Sequence, residues 1–189
     1  MMGIRQETSV YHKGVSIMDV MEAIFERRSI RKFTDQMIPD DILEQLVEAA
    51  LHAPSGRGDK TWKFTVVTNA DLIRKLADGI SRQLNRQGYN MYNPTVLIIP
   101  SNLRDSRFGK EDDACALQNI FLAAHAYGVG SCWINQLQGI CDTDIIRPIL
   151  DEMGIPADHV IYGMAALGYP AADNGSHPFK RVGEVAYVR

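Results

Sequence analysis

The sequence has 189 residues, of which 46% are hydrophobic and 23% are charged, and this composition is typical of one globular domain. Its 20 Lys and Arg residues against 23 Asp and Glu residues give a net charge of −3, which argues against the basic surface that nucleic-acid binding usually needs. A chain of this length can bury a core without disulfides or a structural metal, and the cysteines Cys115, Cys132 and Cys141 form no CxxC pair.

Residues 1–16 mix charged and isolated apolar residues, and we treat them as an N-terminal arm before one domain of residues 17–189. This arm lacks the apolar core of a secretory signal peptide. No apolar run in the sequence approaches the ~20 residues of a membrane span. We therefore expect a cytoplasmic protein without a membrane or nucleic-acid partner.

Apolar residues at helical spacing predict five helices, and compact β-branched runs predict five strands. The helices are expected near 16–28, 39–51, 72–86, 112–127 and 143–153. The strands are expected near 64–68, 95–99, 131–134, 159–167 and 187–188. Because the fourth helix is apolar or small on nearly every side, it should be central and buried. The interleaving predicts a single α/β or α+β domain and leaves the strand order open.

Basic residues cluster directly after the first predicted helix, where the sequence reads Arg27-Arg28-Ser29-Ile30-Arg31-Lys32, and again at Lys180 and Arg181. By spacing alone, two interpretations of the first cluster remain open. Its arginines could complement the helix macrodipole. They could equally clamp a phosphate, because guanidinium groups bind phosphate oxygens in a bidentate manner.

Catalytic motifs are absent from the sequence: it contains no GxSxG elbow, HExxH, Walker loop or GxGxxG. Gly128, Gly130 and Ser131 form a small-residue turn, which could cap a helix or let backbone amides approach a flat ligand. We assign no nucleophilic role to any cysteine and predict no metal site.

Four stretches resemble, in the same order, the motifs of the flavin-dependent nitroreductase family. They are RRSIRKF at 27–33, APSG at 53–56 ahead of a tryptophan, the helix from 119 that leads into GVGSCWI at 128–134, and LGYP at 167–170 ahead of the basic pair. The resemblance spans about residues 18–188.

The resemblance implies an α+β fold, a three-layer α/β/α sandwich with a mainly antiparallel sheet, and an intertwined homodimer that holds FMN at the subunit interface. It implies reduction by NADH or NADPH and ping-pong hydride transfer through flavin N5 to a nitroaromatic, a quinone or a similar acceptor. Two alternatives remain open. One is a specialised flavoenzyme of the superfamily, such as a dehalogenase, a flavin-fragmenting enzyme or a dehydrogenase; the other is a protein that binds FMN without turnover.

The resemblance also implies which residues contact FMN. The phosphate and ribityl chain would be held by Arg27, Arg28 and Ser29, with Lys180 and Arg181 as distal phosphate contacts. Arg31 would be the cation near flavin N1 and O2. The isoalloxazine would lie against a loop supplied by the partner subunit, Pro54, Ser55 and Gly56. The segment whose backbone runs beside the ring and N5 would be Cys132, Trp133, Ile134 and Asn135.

One loop departs from the family, which commonly reads Asn-x-Gln-Pro-Trp where this chain reads Gly58-Asp59-Lys60-Thr61-Trp62. Two interpretations of Lys60 remain open. It could replace an amide at the flavin edge or meet an anionic substrate, or it could be a solvated loop cation without a role. No catalytic side chain is assigned, because the flavin itself carries the redox chemistry.

Overall fold

The structure is a computed structural model that describes residues 18–180 and 182–189. The expected N-terminal arm and Arg181 lie outside the described residues. The helices are α1 (Val20–Glu26), α2 (Asp40–Leu51), α3 (Ala70–Gln83), α4 (Gly109–Ala126) and α5 (Arg147–Glu152). The strands are β1 (Trp62–Val67), β2 (Val96–Leu103), β3 (Gly130–Ile134), β4 (His159–Val160) and β5 (Met164–Gly168).

All strand pairs of the sheet are antiparallel, and the strand order is β1-β2-β5-β3, with β4 added beside the end of β2. In the described part of the chain, β1 and β3 are therefore the outermost strands of this order. Three inter-strand steps of ~4.8 Å separate them by about 14 Å.

Two hydrophobic clusters lie on opposite faces of the sheet. Leu97 and Ile99 of β2 point into the cluster that contains α3 and α5, whereas Val96 and Ile98 point into the cluster that contains α2 and α4. This alternation follows from the two-residue period of a strand. Because both faces are covered by helices, the prediction of a three-layer α+β sandwich with an antiparallel sheet is confirmed.

The predicted helices are confirmed with changed boundaries. Helix α1 begins at Val20, because Asp19 caps it through a 2.8 Å hydrogen bond from the Met21 amide. Helix α5 begins at Arg147 rather than near residue 143, because Pro148 fits only the first turn. Helix α4 is buried as predicted and packs against α2 and the sheet.

Two strand predictions are wrong in part or in full. The run predicted at 159–167 divides into β4 and β5, which pair with different parts of β2 and leave Gly163 between them under the ring of Trp133. The strand predicted at 187–188 does not form in the described chain. Val188 is 98% exposed there, and no neighbouring strand satisfies its backbone.

Among the helices that the structure describes, none combines the length and the apolar character that crossing a membrane requires.

Candidate functional site

The basic segment after α1 is fixed along the β3 edge of the sheet. Ser29 forms a parallel bridge with Ser131, and the Ile30 amide donates to the Ser131 carbonyl at 2.9 Å. Farther along, Phe33 bridges Pro170, next to the end of β5. The backbones come so close that a Cβ on Gly130 would meet the Ile30 side chain at 3.0 Å. The missing side chain at Gly130 therefore leaves room for this close approach, which positions the arginines.

Arg27, Arg28 and Arg31 make no ion pair with any carboxylate among residues 18–180 and 182–189. Burial lowers the pKa of Arg27, and the neighbouring positive charge of Arg28 lowers it further. Arg28 instead donates to the carbonyls of Phe25 and Arg27. Lys32 of the same segment pairs with Asp173, so the charge that lacks an ion-paired carboxylate in the described residues is that of the three arginines.

A cavity of about 360 Å³ opens between this segment and the end of α4. Its lining includes Arg27, Arg28, His125, Ser131, Asn174 and Ser176. The Nε2 atom of His125 is buried and has no hydrogen-bond partner in the described residues. Glu26 also lines the cavity but forms no ion pair with Arg27 or Arg28 in the described residues. Because two guanidinium groups converge here with hydroxyl groups, the cavity suits a phosphate.

The C-terminal basic pair is only partly described. Lys180 is exposed, and the ring of Phe179 just before it lies 5.3 Å from the guanidinium carbon of Arg28. The chain therefore reaches the first basic cluster immediately before Lys180. Arg181, the other member of the pair, lies outside the described residues.

Strand β3 supplies the second group of expected site residues. Cys132 and Ile134 point into the core, whereas Trp133 is 39% exposed and packs against Phe121 at a centroid distance of 6.0 Å. Burial raises the pKa of the Cys132 thiol, although the charges of Arg31 and Arg27 act in the opposite direction. The bridge between Ser29 and Ser131 brings the basic segment to β3, and the charges of both arginines act on its Cys132.

A strained turn lies beside Arg31. Met91, Tyr92 and Asn93 are three consecutive non-glycine residues with positive φ, a conformation that costs about 1 kcal/mol or more per residue. The turn holds the Tyr92 ring 5.9 Å from the guanidinium carbon of Arg31. Such strain persists only where surrounding contacts enforce it, and Met91 is fully buried.

Gln136 is a residue of this region that sequence reasoning missed. Its Oε1 accepts hydrogen bonds from the Tyr89 hydroxyl at 2.8 Å and from the backbone N–H of Asn135 at 3.0 Å. Burial, followed by the effect of Tyr92, raises the pKa of Tyr89, so this phenol stays protonated and can donate. No sequence motif marks Gln136, because its partner is 47 residues away.

The Pro54–Gly56 loop lies apart from these residues within one chain. The Ser55 hydroxyl and the Gly56 amide each donate to Asp112, near the start of α4, whereas His125 lies near its end. Thirteen residues of helix separate the two by about 20 Å. The loop also leads into β1, at the opposite edge of the sheet from β3. The structure therefore divides the expected FMN contacts into two groups.

The Nitroreductase family matches this chain over residues 24–92 and 81–169. A protein of Methanothermobacter thermautotrophicus named NADH dehydrogenase/NAD(P)H nitroreductase is 33% identical over 168 residues, which cover 86% of this chain and 83% of the relative. A protein of Archaeoglobus fulgidus with the same name is 28% identical over 159 residues, or 80% of this chain and 86% of the relative.

Two solved structures are similar over most of the chain. A nitroreductase with bound FMN from Bacteroides fragilis is 34% identical, with a TM-score of 0.84 over 91% of this chain and 100% of the other. An FMN-dependent nitroreductase from Clostridium difficile is 27% identical, with a TM-score of 0.71 over 84% of this chain and 91% of the other.

Proposed function

Since this chain belongs to the nitroreductase family, we propose that it reduces a small-molecule acceptor with electrons from NADH or NADPH in a ping-pong reaction. It is a flavin-dependent NAD(P)H oxidoreductase with FMN as its cofactor, in keeping with its relatives' names and with the FMN bound to the Bacteroides fragilis enzyme. When bound, FMN supplies hydride transfer at N5, from the nicotinamide and then to the acceptor. The residues of this chain would bind FMN, orient its ring and shield it from water.

The cationic cavity beside Arg27 and Arg28 is the observation that carries this proposal. Its arginines lack an anionic partner in the described residues, and the buried Nε2 of His125 lacks any partner there. A phosphate dianion in this cavity would pair with the guanidinium groups of Arg27 and Arg28, so the residues present fit FMN. We assign Arg27, Arg28 and Ser29 to the phosphate and ribityl chain. Lys180 and Arg181 are assigned to the distal side of the phosphate.

Arg31 is assigned to the N1 and O2 edge of the flavin, where negative charge accumulates on reduction. The charges of Arg31 and Arg27 both lower the pKa of the Cys132 thiol, against the larger effect of burial, so both cations act on the same residue of β3. The backbone from Cys132 to Asn135 is proposed to run beside the ring. The side chain of Ile134 belongs to the core, so this residue would contribute only backbone contacts.

A second copy of this chain is proposed to complete each FMN site. The Pro54–Gly56 loop cannot reach the arginines of its own chain, because the length of α4 and the width of the sheet lie between them. Helix α1 also exposes an apolar face and buries only Ala23. Its exposed apolar residues are Val20, Met21, Ile24 and Phe25. A symmetric dimer would cover this face and bring the loop of one chain to the arginines of the other.

Lys60 is proposed to select the acceptor. It is an exposed residue with a φ of 48°, and it makes no ion pair in the described part of the chain. A cation held beside the Pro54–Gly56 loop would favour acceptors that carry a carboxylate over neutral nitroaromatics or quinones. We expect Lys60→Met to reduce this preference severalfold, whereas Lys75→Met, which removes a surface lysine on α3, leaves it unchanged. An unchanged acceptor ranking in Lys60→Met would refute this role.

The visible absorption spectrum of the purified protein tests the proposed function. A flavin spectrum that bleaches anaerobically with NADH or NADPH, and recovers on addition of a quinone or nitroaromatic, is the expected result. A colourless protein that takes up no added FMN would contradict the cofactor assignment. Bound flavin that neither nucleotide reduces would favour a protein that binds FMN without turnover.

A further inference from the structure

We infer that Asp112 is a positioning residue that fixes the loop of residues 54–60 and presents it to the FMN site. Asp112 lies on α4 and is 4% exposed. Its two carboxylate oxygens each accept one short hydrogen bond from the loop, from the Ser55 hydroxyl and from the Gly56 amide, both at 2.8 Å. The role of the loop at the flavin rests on the proposed function. The hydrogen bonds by which Asp112 fixes the loop do not depend on that proposal.

The Ser55 hydroxyl extends this hold to Lys60. Ser55 Oγ donates to Asp112 and accepts a 3.1 Å hydrogen bond from the Lys60 amide. Two residues of this loop, Arg57 and Lys60, have positive φ values of 60° and 48°. A left-handed conformation at non-glycine residues needs enforcing contacts. The relay from Asp112 through Ser55 provides one for Lys60.

The same loop also packs against Phe108, the residue just before α4. The ring of Phe108 lies so close to Gly56 that a Cβ there would come within 2.4 Å of its ring carbons. The other end of the loop is tied down as well, because Thr61 Oγ1 donates to Asn102 Oδ1 at 2.6 Å and Asn102 Nδ2 donates to Asp113 Oδ1 at 2.9 Å. Adjacent buried carboxylates thus hold both ends of the loop.

Asp112 would act on the active site of the other subunit. If the loop lies against the flavin held by the partner's arginines, its position affects FMN affinity and acceptor binding more than the rate of flavin reduction at saturating NAD(P)H. Loss of Asp112 should therefore raise the dissociation constant of FMN and the KM for the acceptor, with a smaller change in kcat.

Limited proteolysis of the protein without flavin tests whether Asp112 fixes the loop. Trypsin can cut after Arg57 and Lys60, and mass spectrometry identifies each cut. We expect Asp112→Ala to be cut at these two sites at least tenfold faster than the wild type. Ser55→Ala should increase cleavage mainly after Lys60. Asp112→Asn should stay close to the wild type, because its amide can accept from Gly56 and donate to Ser55 Oγ.

Glu111→Gln is the matched control, since it removes one exposed negative charge from the same helical turn without touching the loop. Its cleavage rate and FMN affinity should equal those of the wild type. If Asp112→Ala does not fold, the cleavage rates of Ser55→Ala and Glu111→Gln are compared instead. Faster cleavage in Ser55→Ala than in Glu111→Gln would then support the inference, and equal rates would overturn it. Wild-type cleavage rates in both Asp112→Ala and Ser55→Ala would overturn it.

FMN titration and steady-state kinetics test whether the position of the loop affects FMN and acceptor binding. Faster cleavage together with a severalfold weaker FMN affinity, restored in Asp112→Asn, supports the positioning role. Faster cleavage with unchanged FMN affinity and unchanged acceptor KM would overturn that role. A wild-type protein that binds no FMN would refute the proposed function, and the cleavage contrast would still decide whether Asp112 holds the loop.

Discussion

Arg27 and Arg31 both act on the pKa of the Cys132 thiol, but they should affect a bound flavin differently. A cation at the phosphate stabilises the oxidised and reduced forms equally, whereas a cation at N1 and O2 stabilises the reduced anion more. We expect Arg31→Gln to lower the midpoint potential of bound FMN by about 30 mV or more, which for two electrons corresponds to roughly 1.4 kcal/mol. Spectroelectrochemistry of the purified holoprotein measures this change.

Arg27→Gln is the paired variant. It should weaken FMN binding at least tenfold and leave the potential of the remaining bound flavin within a few millivolts of the wild type. The roles would have to be exchanged if Arg27→Gln shifted the potential and Arg31→Gln only released the cofactor.

Asp113 is predicted to make folding pH-dependent. Burial raises the pKa of Asp113 to about 7. The hydrogen bond from Asn102 acts in the opposite direction, and the negative charge of Asp112 raises the pKa further. The folded protein therefore keeps a proton that the unfolded chain releases near pH 4, so stability falls as pH rises from about 4 to 7. Between pH 5 and pH 8 this group should cost about 2 kcal/mol of unfolding free energy.

Asp113→Asn removes this titration and retains an oxygen for the Asn102 amide. Urea unfolding at both pH values should show a loss of stability in the wild type that is about 2 kcal/mol larger than in the variant. Equal losses in the two proteins would show that Asp113 does not titrate in this range.

At the residue scale, a sequence motif can propose site residues that follow one another along the chain, but not residues that distant segments bring together. The arginines and Ser29 form one stretch, so a motif could identify them. Asp112 contacts residues 56 and 57 positions earlier. His125 lines a cavity with Arg27 and Arg28, and Gln136 accepts a hydrogen bond from Tyr89. A periodic apolar pattern carries no information about such pairs of distant residues.

At the scale of elements, hydrophobic periodicity predicted each helix and the strands β1, β2 and β3, because these segments bury one face or both. It failed at 187–188, where the apolar side chains of Tyr187 and Val188 stay exposed and no strand of the described residues pairs with them. It also merged β4 with β5, because a break at Gly163 depends on the Trp133 ring above it. Strand order was unreadable for the same reason: it is set by contacts between segments, not within them.

The exposed face of α1 leads to a prediction about assembly. Phe25 is 64% exposed, and burying such a side chain in an interface contributes about 2 kcal/mol. Because a two-fold interface uses the residue twice, Phe25→Ser should weaken dimerisation by about 4 kcal/mol, or roughly a thousandfold. Sedimentation velocity over a dilution series measures the change.

Glu22→Gln on the same helix serves as the control for Phe25→Ser, because it changes an exposed polar residue of α1 and leaves the apolar face intact. Its dissociation constant should match that of the wild type. An unchanged dimer in Phe25→Ser would mean that the α1 face lies outside the interface.

At the scale of the whole molecule, the division of the site can be tested by mixing two defective chains. Arg27→Glu removes the phosphate contact, and Gly56→Val displaces the loop, because even a Cβ at this position would overlap the ring of Phe108. Each variant alone should form dimers that hold little FMN, since every site contains the defect.

A mixed dimer of the two variants, isolated with a different affinity tag on each chain, should behave differently. One of its sites combines Arg27→Glu with Gly56→Val, and the other combines a native arginine cluster with a native loop. If each site is shared between chains, the mixed dimer should bind about one FMN and recover about half of the activity of the native dimer. If each site were built within one chain, both sites of the mixed dimer would carry a defect. FMN content no higher than that of the parent variants would therefore refute the shared site.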